Sequence, residues 1–339
     1  MNLAVSSQLG RELLVTGREA DFAIRRRRAL KRVDKELSRG NFKAALNLVK
    51  QLQGKPGGLR GFGATKQVPR RLISMDELEL NAVELSSIRS LFDSVMDSIE
   101  SCSRFDSLDE FKPVNVCFMA GPYEISVLTE FAYFICEMFQ VIGLKAWWKM
   151  KAMSLFVKRI IPCACKVCLT LSDILEQHEA GHFLVGYLLG VLPKGYEVPS
   201  TEALRQDEFA AGRVKFVDFE FLKEVYIPRM LKTDIGQVSN RILNNFSCII
   251  LGGLVAAHLV FGYSKGHHSD IDKLERVLGW LGYRKSEAIS QVKWAALNTV
   301  LISHRNSEAR SRLAKAMAAG RSVSLCIETI ENAISGKEI

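Results

Sequence analysis

The stretch LSDILEQHEAGHFLVGYLLGVLP, Leu171 to Pro193, sets two histidines and a glutamate into an otherwise apolar run. Its apolar positions recur at helical spacing, and residues four apart on a helix share a face. His178 and His182 therefore offer their imidazole nitrogens to one point in space, with Glu179 beside them. A chain that builds such a helix must either pair these polar groups or give them an ion to hold.

Zinc suits the spacing. It takes imidazole nitrogen at about 2.0–2.1 Å, lowers the pKa of a bound water towards neutrality and polarises a carbonyl. Glu179 is the general base the arrangement requires, accepting a proton from that water and passing it to a leaving amine. A third ligand is needed. An extended H-E-x-x-H-x-x-G-x-x-H pattern would place Gly at 185 and His at 188, where the chain has Val185 and Leu188. The remaining ligand must come from farther along the sequence.

Charge is unevenly spread. Residues 1–71 carry 17 Lys or Arg against 5 Asp or Glu, which is +12 of a total of +9 and leaves −3 for the rest. RRRRALKRVDK, Arg25 to Lys35, is the densest basic run, suited to nucleic acid, an anionic membrane surface, an acidic partner or a solvated helix face. Nucleic acid is disfavoured because Phe22, Phe42 and Phe62 are too scattered to stack bases. Eight cysteines in a chain of 339 residues without a secretory signal do not resemble a disulfide framework. Cys163, Cys165 and Cys168 are close enough to share a metal, but lack a fourth partner nearby. The pattern G-x-x-x-x-G-K-[ST] is absent, so the sequence encodes no nucleotide motor of that type.

Along the chain, Asp34 to Gln53 reads as two helices around Arg39-Gly40-Asn41, and GKPGGLRGFGATKQVP, residues 54–69, as a linker. This divides the sequence into a basic helical arm with its linker (1–70), a helical region (71–170) and a third region (171–335). From Met75 to Ser103 the apolar positions Leu80, Val83, Leu85, Ile88, Leu91, Phe92, Val95 and Ile99 track one helical face. Two apolar stretches approach the length of a membrane span, Tyr123 to Trp148 and Phe246 to Tyr263. Glu124, Glu130 and Glu137 in the first, and the Gly pair with His258 in the second, favour packed helices. Gly212 to Phe221 alternates enough to predict a short strand, and the rest reads as helix or loop.

A later segment, LGGLVAAHLVFGYSKGHHSDIDKLERVLGWLGY, brings a resemblance into view. With the HEAGH helix it resembles the peptidase domain of FtsH-type ATP-dependent zinc metalloproteases over residues 171–335. Gly252-Gly253, Ala256 and Phe261-Gly262 match that family's Gly-Gly helix, and Asp270 matches its metal-binding Asp. The resemblance implies a mainly α fold: a helical zincin-type peptidase domain with a short β element, preceded by a helical N-terminal region. It implies Zn2+ held by His178, His182 and Asp270, with Glu179 catalytic, and His267 and His268 as alternative ligands. The family's ATPase module has no counterpart here, as in the plant plastid FtsH-like proteins that lack the motor. Where the family carries an acidic pair, this chain has Ala257 and His258. The expected activity is ATP-independent endoproteolysis of unfolded or partner-delivered proteins; the alternative is a catalytically weak or silent FtsH-like scaffold or chaperone-type subunit of a plastid protease complex. The same resemblance implies a chloroplast location at the thylakoid membrane, and FtsH-type ATPase subunits or a second copy of the chain as partners. Against that location, Glu12, Glu19 and Asp21 interrupt the basic run where a transit peptide is poor in acids.

Overall fold

An apolar helix needs another apolar face against it, and in this chain a single helix meets that need for four of the others. The computed structural model describes residues 21–70, 82–102, 172–199, 212–217, 219, 221–225, 238–262 and 268–334. The helices are α1 (21–38), α2 (Phe42–Leu52), α3 (Ala82–Cys102), α4 (172–188), α5 (Leu222–Val225), α6 (Asn240–Phe261), α7 (His268–Trp280), α8 (Lys285–Arg305), α9 (Ser307–Ala318) and α10 (Val323–Ile334). Strands β1 (Pro193–Glu197) and β2 (Arg213–Phe216) pair antiparallel, with Tyr196 opposite Val214 and an irregularity between Pro193 and Gly195. The described protein is mainly helical, with this one short sheet.

Helix α6 is the hub, packing against α8, α3 and α7. Ser239 caps its start by accepting from the Ile242 N–H at 3.3 Å, and Gly262 ends it at φ +73°, a conformation that favours glycine. The helix is long and apolar enough to cross a bilayer, and 78% of its most apolar window is buried inside the protein. The other candidate span, residues 123–148, lies outside the described residues, as do Cys163, Cys165 and Cys168.

Helix α4 enters the same core. Phe183, Leu184, Val185, Tyr187 and Leu188 are fully buried, and burying each such side chain contributes about 1.5–3 kcal/mol. Gly190 at φ +80° terminates the helix, with the Val191 N–H donating back to the Gly186 carbonyl at 2.9 Å.

The stretch expected to act as a linker is instead a packed loop. The N–H groups of Gly63 and Thr65 donate to the last carbonyls of α4, Tyr187 and Leu188, at 3.1 and 3.2 Å. Leu59 and Phe62 are buried. A side chain at Gly61 would collide with Ile334, and Gly63 meets Gly190 backbone to backbone. These glycines serve close approach, so the boundary expected between 54 and 69 is not a boundary: α1, α2 and the loop belong to the same compact unit as the residues after 172.

The two helices expected around Gly40 are present as α1 and α2, and Gly40 takes φ +77°. The α3 face is present through Ile88, Val95, Met96 and Ile99, although Val83 points outward at 79% exposure and Leu80 lies outside the described residues. The strand expected after Gly212 is β2.

Candidate metal centre

Helices α4 and α6 cross at glycines. A Cβ at Gly181 would overlap the Gly252 carbonyl and the Ala256 side chain, so the backbones meet directly. One residue on, a Cβ at Gly253 would occupy the space of the His178 imidazole ring. The Gly-Gly pair thus does two tasks: Gly252 admits the α4 backbone, and Gly253 admits a ligand ring.

At this crossing three donor atoms converge. His178 Nε2 lies 2.9 Å from His182 Nε2, and Asp270 Oδ2, in the first turn of α7, lies 3.0 Å from the former and 3.1 Å from the latter. All three residues are buried. A tetrahedral ion about 2.0–2.1 Å from each donor separates them by about 3.3 Å, close to the observed triangle. The helical register places the histidines together, and α7 brings Asp270 to them across 88 positions of sequence.

The hydrogen-bond chemistry of this triangle is incomplete without a positive charge. His182 Nδ1 donates to the Ile249 carbonyl at 2.7 Å, because a carbonyl oxygen only accepts. In the neutral ring Nε2 then carries a lone pair, directed at Asp270 Oδ2, which also only accepts. Two acceptors at 3.1 Å repel unless a proton or a metal ion sits between them. Burial pushes the His182 pKa down, but the Asp270 charge and hydrogen bond outweigh it and lift the value to about 9. Burial likewise raises Asp270, and the two imidazoles outweigh it, holding the carboxyl well below its usual range. The donor set fits a divalent cation, which would take the place of the bridging proton.

Glu179 sits over the triangle. A donor atom from each of His178, Glu179 and His182 lies within 4.8 Å of the others, but Asp270 Oδ2, within 3.1 Å of both imidazoles, is the nearer candidate for a third donor. Glu179 is 3% exposed and its Oε2 has no hydrogen-bond partner among the described residues. Burial raises its pKa, and the two histidines only partly offset this, the direction that makes a carboxylate a better base near neutral pH. Its side chain lies against the Gly212 backbone at the entry to β2, where a Cβ would strike it.

Three contributors have no motif in the sequence: the Ile249 carbonyl that sets the His182 tautomer, Gly212, and Lys273. Lys273 Nζ donates to Asp270 Oδ1 at 2.8 Å, leaving Oδ2 for the histidines. The i to i+3 spacing of Asp270 and Lys273 was the available signal. His267 lies outside the described residues, and of His268 only the backbone, the first residue of α7, is described. Of the pair that stands where the family carries acids, Ala257 is buried and His258 turns to α3: its Nδ1 donates to the Leu254 carbonyl at 2.9 Å and its Nε2 accepts from Ser98 Oγ of α3 at 3.0 Å.

Comparison with protein-family models, curated proteins and solved structures finds no match for this chain.

Proposed function

We propose that this protein is a zinc-dependent endopeptidase of the zincin type, acting without an ATPase motor of its own on unfolded or partner-delivered polypeptides. The observation that carries the reading is the convergence of His178 Nε2, His182 Nε2 and Asp270 Oδ2 within 3.1 Å of one another. Zinc held there would polarise a scissile carbonyl and activate a water. His178, His182 and Asp270 would hold the ion, with the Ile249 carbonyl and Lys273 fixing the outward ends of two of them. Glu179 would take the proton of the attacking water at its unpartnered Oε2 and deliver it to the leaving amine. The FtsH-like resemblance agrees with this chemistry and with a plastid, thylakoid-side location alongside FtsH-type subunits.

The silent-scaffold alternative is the weaker reading. A purely structural metal site has no use for a buried carboxylate with an unsatisfied oxygen next to its ligands, since that oxygen costs about 1–3 kcal/mol of stability.

The test is Glu179→Gln, which keeps the shape and removes the base. Parent and variant should bind zinc equally, and only the parent should cleave an unfolded protein. Zinc in both with cleavage in neither would establish the scaffold.

A further inference from the structure

The outward face of α1 is predominantly basic. On the helical wheel Arg25, Arg28, Lys31, Arg32, Lys35 and Arg39 fall within about 120° of the circumference, and all six are exposed. From Arg25 to Arg39, just past the end of the helix, is 39 − 25 = 14 rises, or about 21 Å. Arg25 pairs with Asp21 and Arg39 with Glu36, both at the surface. Arg28, Lys31, Arg32 and Lys35 have no ion-pair partner among the described residues. Six cations against Asp21 and Glu36 leave the face at +4, and its four central cations repel one another.

The rest of α1 is committed to the fold. Leu30 and Val33 are in the core. Arg26 donates to Asn332, Arg27 to Glu328, and Asp34 accepts from Ser324, so α1 runs antiparallel along α10. The helix is therefore held with its basic stripe outward and cannot turn its inner face to a partner. Within the stripe sits Ile24, 50% exposed, one of the few large apolar side chains at the surface.

We propose that this face of α1 docks the protein on an anionic lipid bilayer. A flat, immobilised cationic stripe with an apolar residue in it matches a plane of negative headgroups over an acyl boundary. A nucleic-acid duplex offers nothing to Ile24, and a helix packed along one side cannot sink into a groove. Phe22, the aromatic residue of α1, is turned inward against Gly57 and cannot stack on a base. The surface is separate from the metal centre, and the inference stands whether or not the protein cleaves peptides.

The test is flotation of the full chain with vesicles of phosphatidylcholine alone or with 30 mol%, an amount on the order of that in acidic leaflets, of phosphatidylglycerol. Each cation near such a surface is worth about fivefold in partitioning, so the parent should bind the anionic vesicles, release them in high salt and ignore the neutral ones. R28E/K31E/R32E/K35E should lose at least tenfold in binding with an unchanged melting temperature. K66E/K293E/R305E/K315E, the same charge change on other elements, should lose far less. Failure of the parent to bind anionic vesicles would overturn the proposal, as would equal losses in the two variants or tighter binding of a DNA duplex at the same salt. Should the first variant not fold, the parent's lipid and salt dependence still decides the matter.

Discussion

Two buried carboxylates in this protein have opposite surroundings. Glu331, 1% exposed, accepts from the Arg60 and Gly61 N–H groups at 2.8 Å and from the Tyr187 hydroxyl at 2.6 Å. Burial and the Glu331 charge raise the Tyr187 pKa well above its usual value, so the hydroxyl keeps its proton and donates. Each of these three contacts is a donor the chain itself supplies. Asp270, 5% exposed, has one such donor, Lys273, on Oδ1, while its Oδ2 faces two imidazole nitrogens, one of them fixed as an acceptor when neutral. The first group closes a structure and the second leaves room for an ion. What separates a structural acid from a ligand here is the identity of the atoms around it, since the two are about equally buried.

Substitution should separate the two along the same line. Asp270→Ala removes the proposed third ligand and should lower zinc affinity by more than the roughly 10–100-fold that loss of an outer partner costs; calorimetric zinc titration of the folded variant, beside a denaturant melt, separates this from the stability lost with the Asp270–His182 pair. Glu331→Ala should do the reverse. It orphans the Gly61 N–H and the Tyr187 hydroxyl and should destabilise the fold by about 2–4 kcal/mol, while folded protein keeps its zinc affinity. Equal effects of the two substitutions on zinc would break the distinction.

Lys273→Met tests the intermediate case. It leaves all three ligands but frees Oδ1, and zinc affinity should fall by about tenfold, with Lys273→Arg restoring most of it. The smallest effect is on pH. Zinc must displace the His182 proton, so affinity should rise with pH by at most about tenfold per unit and level off near the His182 value of about 9. In the metal-free protein the sign reverses. His182, raised from 6.5 to about 9, contributes stability that is complete below 6.5 and lost as pH rises through about 9. Asp270, held below its usual 3.8, contributes stability present above 3.8 and lost as pH falls through its lowered value. Melting of zinc-free protein should therefore peak between about pH 4 and 6.5 as far as this pair decides it, and zinc should move the optimum upward.

The half of the centre that lies within one helix was legible from sequence, because i, i+4 spacing is a local rule and His178 and His182 obey it. Asp270 came only through resemblance, since nothing local ties a residue to a partner 88 positions away. The Ile249 carbonyl was invisible for the same reason, and a backbone group leaves no mark in composition. Residues 54–69 misled because glycine density has two physical meanings, freedom and close approach, and the sequence does not say which applies. β1 escaped because Pro193 and Gly195 interrupt the alternation that marks a strand, whereas β2 kept it. Mainly helical architecture was readable from periodicity; the packing of α1 and α2 into one unit with the residues after 172 was not.

Anomalous diffraction at the zinc edge from crystals of the parent protein addresses the metal centre without any assay of activity. The expected result is one peak per chain, about 2.0–2.2 Å from His178 Nε2, His182 Nε2 and an Asp270 carboxylate oxygen. A zinc-loaded crystal with no peak at the crossing of α4 and α6, or with Asp270 directed away from it, would contradict that assignment.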